Sequence, residues 1–310
     1  MPASFKASHV SPMRGGPAPV VKTLYLVRHG EAVHNIEEHR AKRRAAAEAE
    51  ALGHVEGGEA HKAMVEAARK AALRCEHLRD PSLSSTGANQ TLTAKDELKA
   101  LTQCDIGLPD PAVVLVSPLQ RTLETAALLF PDHPRVHVCE DLRERRTLLP
   151  CDERKPAQHL ARQSDFSNMD FASLLDVDSE LEASAVEAQA EDAAKLRVRT
   201  TRLVEALRTV DDSVLCLITH KAFLRELERG PLGQKDAKEF SNCEVRAYDV
   251  ALMSDGSLVA ELLHSAEAPW SGAAEGGFSR TISVESVVKA HRRESFDLGP
   301  CPALEVYSVF

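Results

Sequence analysis

A chain of 310 residues, 43% hydrophobic and 27% charged, has the make-up of an ordinary globular protein, which excludes collagen-like, coiled-coil and wholly disordered chains. With 38 basic and 47 acidic side chains the formal net charge is −9, which argues against a nucleic-acid-binding domain, since such domains are usually basic. At this length folding buries roughly three quarters of the unfolded surface, so the core needs no staple. No run approaches the ~18 consecutive apolar residues of a membrane span, so no membrane partner is expected. The seven cysteines are scattered and form no C-x-x-C pair, so neither a disulfide framework nor a zinc site is expected, and a reducing, cytoplasmic setting is.

In chain order, residues 1–19 read as a flexible N-terminal lead, without the apolar centre of a secretory signal; organellar targeting is the second reading of this acid-free stretch. Residues 20–27 form a short β-branched run that ends at Arg28, His29 and Gly30, and they predict a strand. Residues 36–80, rich in Ala, Glu, Lys and Arg, predict an insertion of one or two solvated helices broken near Gly53, Gly57 and Gly58. It reads as an inserted helical hairpin or as a cover over a substrate. Helix-compatible periodicity follows over 84–101 and 119–129, with strands at 112–116 and 136–142. A long helix is expected over 183–210, with Val186, Ala190, Ala193, Leu203, Val204 and Leu207 on its apolar face. A buried strand at 214–219 precedes a hairpin of 245–253 and 257–263 around Asp255 and Gly256. Residues 265–310 read as a mostly irregular C-terminal tail, which leaves 20–264 as one domain.

Near-continuous apolar strands alternating with helices predict an α/β fold, a three-layer α/β/α sandwich with a mostly parallel central sheet and antiparallel character from the hairpin. In such a sheet, ligands bind beyond the carboxyl ends of the strands. The ends of the first, second and fourth strong strands deliver Arg28 with His29, then Arg121, then His220. Four potential cations at one sheet edge repel one another unless an anion sits among them. Arginine gives paired, charge-assisted hydrogen bonds to phosphate oxygens, so a phosphate pocket is expected.

Four segments, LVRHGEAVHN, LSSTGANQ, SPLQRTLETA and ITHKAFLREL, resemble in sequence and order the histidine phosphatase superfamily, also called phosphoglycerate mutase-like. The resemblance spans about residues 24–227 and extends to Pro150, Cys151 and Asp152 after the expected acid. It implies a phosphoglycerate mutase-like fold and a phosphohistidine mechanism. His29 would be the nucleophile, with Arg28, Arg121 and His220 binding the phosphoryl oxygens. Asn35 matches a polar residue that donates to the phosphate, although it would equally cap the helix that follows. Glu144, within Leu142-Arg143-Glu144, would be the general acid and later the base for water. Glu140, Asp141 and Glu31 compete with it. Gly30 is expected to serve backbone geometry.

Where many family members carry Gly after the second histidine, this chain has Lys221, which either extends recognition to a second anion or points into solvent. No cofactor and no metal are expected. His34, His39, His54, His61 and His77 show no ligand spacing and are given no role. A basic run before Ser295 resembles a kinase site. The expected substrate is a small phosphorylated metabolite. The leading function is a metal-independent phosphatase; a phosphoglycerate mutase-type transferase and a non-catalytic phosphate-binding scaffold are the alternatives.

Overall fold

The computed structural model describes residues 20–103, 107–184, 189–253 and 256–266. The N-terminal lead, nearly all of the C-terminal tail with Ser295, Val186 and Asp255 lie outside them. In chain order the strands are β1 (Val20–Arg28), β2 (Val113–Val116), β3 (Val136–Val138), β4 (Met169–Asp170), β5 (Val214–Thr219), β6 (Val245–Leu252) and β7 (Leu258–His264). They form one seven-stranded sheet in the order β4-β3-β2-β5-β1-β6-β7. From β4 to β1 all neighbours are parallel, whereas β6 runs antiparallel to both β1 and β7.

The α-helices are α1 (Val33–Ala51), α2 (Glu59–Leu73), α3 (Ser85–Thr102), α4 (Gln120–Leu129), α5 (Ala157–Ala161), α6 (Ala172–Ser184), α7 (Ala193–Ala206) and α8 (Lys221–Arg229). Side chains alternate across a strand, so a strand that is apolar at every position must be covered on both faces. Tyr25, Val27, Val114, Val116, Cys216 and Ile218 pack against Leu98 of α3 and Leu123 and Ala126 of α4. Their sequence neighbours Leu24, Leu26, Val113, Leu115, Leu215 and Leu217 pack on the other face against Leu203 and Val204 of α7 and Phe223, Leu224 and Leu227 of α8. The expected three-layer α/β/α architecture is therefore present, with a separate core on each face of the sheet.

Three expectations need correction. The strand expected over 136–142 stops at Val138, and Glu140–Leu142 turns as one 3₁₀ turn. Cys139 N–H still donates to the Val116 carbonyl (2.8 Å), after which the chain leaves the sheet edge. The long helix expected over 183–210 is interrupted: residues 189–192 are not helical, and α7 starts only at Ala193, where Asp192 caps it through the Lys195 N–H (2.8 Å). Asp competes for backbone donors and favours such a start. The buried stripe is accordingly Leu196, Thr200, Leu203, Val204 and Leu207, while Ala190 and Ala193 are exposed. The two-residue strand β4 and helices α5 and α6 are additions that no periodicity marked.

The segment after the first motif is helical, as expected. α1 begins at Val33, three residues before the expected 36, so its first turn belongs to the sheet edge. It pairs with α2 as a helical hairpin, joined across by Arg69 and Glu38 (Nε to Oε1, 3.0 Å) and turned at Gly53 and Gly57, both with positive φ.

Candidate active site

The register of β1, β5 and β2 fixes the candidate site. Arg28 pairs with Thr219 and Val116 with Ile218, so His29, His220 and Ser117 leave the same edge side by side. The His29 N–H donates to the Thr219 carbonyl (3.1 Å), and the Ser117 N–H to the Ile218 carbonyl (3.0 Å). The turn after His29 passes very close to the start of α3. A Cβ on Gly87 would lie 2.0 Å from the Glu31 carbonyl oxygen, and one on Gly30 would lie 2.6 Å from the Gly87 oxygen. Both glycines are needed for that approach, not for a left-handed backbone. Around them Ser84 accepts from the Gly87 N–H (2.9 Å) and donates to Glu31 Oε1 (2.7 Å), while Gln90 accepts from the Glu31 N–H (2.9 Å). The LSSTGANQ segment thus clamps the loop that carries His29.

His29 is buried, and its ring is fixed in one tautomer. A carbonyl only accepts, so Nδ1, at 2.7 Å from the Gly30 oxygen, carries the proton. Nε2 is left with a lone pair that receives Arg121 Nε–H at 3.3 Å. Arg121 itself is almost fully enclosed; it donates to the Cys151 carbonyl (2.7 Å) and lies 3.6 Å from Asp152. Asp80, buried and in the left-handed region at φ 43°, sets the helix that bears Arg121 by accepting from the Gln120 N–H (2.7 Å). Arg28 is held by the Phe240 carbonyl (2.8 Å). The His220 ring centroid lies 5.0 Å from that of His29, and its Nε2 contacts Ser117 Oγ at 2.7 Å. Arg28, His29, Arg121 and His220 are thereby brought together.

Glu144 follows the 3₁₀ turn on an irregular loop, which Arg199 of α7 ties down through the carbonyls of Asp141 (2.8 Å) and Arg143 (2.6 Å). Its carboxylate accepts from the Arg145 N–H (2.8 Å) and, more distantly, from the Ala222 N–H (3.4 Å), one residue beyond Lys221 at the start of α8. Its charge acts on Arg28 and Asp152. The competing carboxylates are committed elsewhere. Glu140 pairs with Arg143 and Arg154, Asp141 with Arg202, and Glu31 with Ser84. Asn35 sits in the first turn of α1, where its Oδ1 accepts from the Ala32 N–H (3.0 Å), which is the capping role. Lys221 pairs with Glu239 at 3.1 Å on the surface.

Two side chains without an assigned role also enter the site. His34 is buried, with its ring centroid 6.4 Å from that of His29. Its position was readable had the helix been started at Val33, because the buried residues of α1 are His34, Ala41, Ala45 and Ala49 on one stripe. Asp152, known only as part of a resemblance, supplies the buried carboxylate beside Arg121. Burial pushes its carboxyl up to about 6 against the pull of Arg121. Among the described residues no group of three His, Cys, Asp or Glu side chains is placed to hold a metal ion.

Burial, reinforced by the charges of Arg121 and Arg28, holds His29 and His34 well below the ordinary imidazole range; burial and Arg121 do the same to His220. All three are neutral in the folded protein. Unfolded, each takes up a proton near 6.5, so below that pH the unfolded state binds protons that the folded state refuses. Stability is therefore full above about pH 6.5 and falls below it, by up to about 1.4 kcal/mol per pH unit for each imidazole. Asp152 opposes this between its ordinary 3.8 and about 6, because there the folded state holds the extra proton. Urea unfolding at about pH 7.5 and about pH 5.5 is expected to give a lower midpoint in acid; equal midpoints would mean that the folded site accepts the protons.

The sequence model of the histidine phosphatase superfamily (branch 1) matches residues 58–254, well over half of the chain. The match begins beyond Arg28 and His29, which lie on the far side of α1. No curated protein sequence matches. Among solved structures, a mycobacterial glucosyl-3-phosphoglycerate phosphatase is 16% identical, with TM-score 0.44 over 78% of this chain and 97% of that one. Mycobacterial hydrolase 2 is 16% identical, with TM-score 0.46 over 89% and 99%. A phosphoserine phosphatase from Entamoeba histolytica, solved with 3-phosphoglyceric acid, is 17% identical, with TM-score 0.42 over 79% and 96%.

Proposed function

The chain belongs to the histidine phosphatase superfamily, and on that footing we propose that it is a metal-independent phosphatase that hydrolyses a small phosphorylated metabolite through a phosphohistidine on His29. The observation that carries the proposal is the state of the His29 ring: Nδ1–H is tied to the Gly30 carbonyl, and the unprotonated Nε2 accepts only a long hydrogen bond from Arg121 (3.3 Å). A nucleophilic imidazole needs that tautomer, and burial keeps it unprotonated.

In the first step the Nε2 lone pair forms a bond to phosphorus, the bond to the leaving oxygen breaks, and Glu144 gives that oxygen its proton. In the second, Glu144 takes a proton from water as the water oxygen bonds to phosphorus, and the P–N bond returns its electrons to Nε2. Arg28 and Arg121 offset the charge spread over the non-bridging oxygens, and the neutral His220 binds beside them. Asn35 uses one amide hydrogen on His34 and keeps a second for a phosphoryl oxygen. Glu144 is preferred to Glu140 and Asp141 because they are neutralised by arginines. The reading includes a reducing, cytoplasmic setting, supported by the free thiols of Cys75, Cys139, Cys151, Cys216 and Cys243. No helix among the described residues is long and apolar enough to cross a membrane.

The test is a screen of sugar phosphates, phosphoglycerates, nucleotides and phosphopeptides without added metal, with acid-labile label trapped from turnover. Release of phosphate together with label on His29 is the expected result. Isomerised product without phosphate release would make it a mutase, and neither label nor release would leave a scaffold.

A further inference from the structure

His34 lies within the candidate site, yet the two-step reaction above leaves it unused. Its protonation state follows from its neighbours. The Ala32 N–H only donates, so the Asn35 atom facing it at 3.0 Å is Oδ1, and the amide nitrogen Nδ2 faces His34 Nε2 at 3.0 Å. An amide nitrogen also only donates, so His34 Nε2 accepts and bears no proton. The single proton of the neutral ring is therefore on Nδ1. That atom is buried and has no hydrogen-bond partner.

A buried donor left unmade costs about 1–3 kcal/mol, so it points to a group that completes it. Among the described residues only four side-chain nitrogens or oxygens are buried without a hydrogen-bond partner. Three of them, Arg28 Nε, His34 Nδ1 and His220 Nδ1, belong to side chains around His29, and the fourth is His61 Nε2 on α2. The charges that act on His34 are those of Arg121, Arg28 and Arg69. The neutral Nδ1–H of His34, under the charges of three arginines, is completed by an anion: it accepts the orphaned hydrogen and cancels the field that keeps the ring neutral. The ring separation of 6.4 Å from His29 is one that a tetrahedral group at His29 can bridge.

We propose that His34 is a substrate-contacting residue, whose Nδ1–H donates to an anionic oxygen of the phosphoryl group alongside Arg28, Arg121 and His220. This rests on the reading of the site as a phosphoryl pocket. It gives the first turn of α1 a direct part in binding: Asn35 fixes the His34 tautomer, and the helical hairpin becomes one wall of the pocket.

The test is calorimetric titration of the full chain with inorganic phosphate, for wild type, His34→Asn and His34→Phe, alongside phosphomonoester turnover. The Asn amide nitrogen replaces Nδ1–H, whereas Phe fills the space without a donor. Hydrogen bonds to charged groups predict that His34→Phe weakens phosphate binding about 10- to 100-fold. His34→Asn is expected to stay within about threefold of wild type if the donor is what matters. Thermal unfolding of each variant shows whether it is folded, and the Asn variant carries the test if the Phe variant is not. Equal phosphate affinity in wild type and His34→Phe, with turnover intact in wild type, overturns the His34 assignment and leaves the phosphatase reading standing. An Asn variant that stays folded but binds as weakly as the Phe variant also overturns it, because the ring and not the donor would then matter. A wild type that neither turns over a phosphomonoester nor binds phosphate overturns both.

Discussion

Replacing His29 with Asn is expected to lower kcat for phosphomonoester hydrolysis by roughly 10⁴-fold or more while leaving the fold in place. The substitution separates the two halves of the ring. Asn keeps an N–H in the place of Nδ1, so the bond to the Gly30 carbonyl survives, and the polar shape of the buried site is preserved. What disappears is Nε2, the only nitrogen of that ring with a free lone pair. Removing the atom that forms the covalent intermediate removes both chemical steps at once, so the loss is expected in kcat and not in substrate affinity. Steady-state kinetics and acid-labile labelling check it together. Turnover within tenfold of wild type would place the nucleophile elsewhere, and label on another histidine would say where.

The second large effect is expected at Arg121, and it concerns stability as well as rate. Arg121→Met removes a cation that faces the proposed nucleophile, for an expected loss of about 10²- to 10³-fold in kcat. It also strands a buried carboxylate. Asp152 has Arg121 at 3.6 Å and a hydroxyl partner in Thr147, and the Cys151 carbonyl loses the donor it has at 2.7 Å. Breaking a buried pair from one side typically costs 3–5 kcal/mol, because the remaining charge stays desolvated, so urea unfolding should show a loss of about that size. A second substitution distinguishes the two effects. Asp152→Asn in the Arg121→Met background removes the stranded charge and should recover much of the stability but none of the rate. Recovery of both would mean that Arg121 acts only as a partner for Asp152.

The parts of the site that were legible in the sequence share a cause. Arg28, His29 and His220 stand at the ends of largely apolar runs that read as strands of a buried sheet. Arg121 follows β2 after only Ser117, Pro118, Leu119 and Gln120. Strand ends in an open sheet converge on one edge, so sequence position translates directly into spatial position. Ser84, Gly87 and Gln90 were legible as a motif but not as a mechanism. Only the 2.0 Å approach of a Gly87 Cβ to the Glu31 carbonyl shows why the motif needs its glycine.

The misread parts share a different cause. The acid loop after β3 has no period, because its order comes from Arg199 and Arg143 reaching carbonyls distant in the chain. The helix start at Val33 depends on the Asn35 side chain turning back to the Ala32 N–H, a local choice that apolar spacing does not register. That three-residue difference hid His34. The break before α7 is set by one aspartate competing for backbone donors.

The amino-acid order by itself determined the layered α/β fold and the strand ends that carry two arginines and two histidines. These follow from local hydrophobic pattern. The tertiary structure alone decided which ring nitrogen of His29 is unprotonated, which carboxylates are already neutralised, that Asp152 stands behind Arg121, and that His34 lies buried near His29 with Nδ1 unpartnered. Proton positions and charge pairings depend on atoms contributed from elements far apart in the chain, and only the folded arrangement sets those distances.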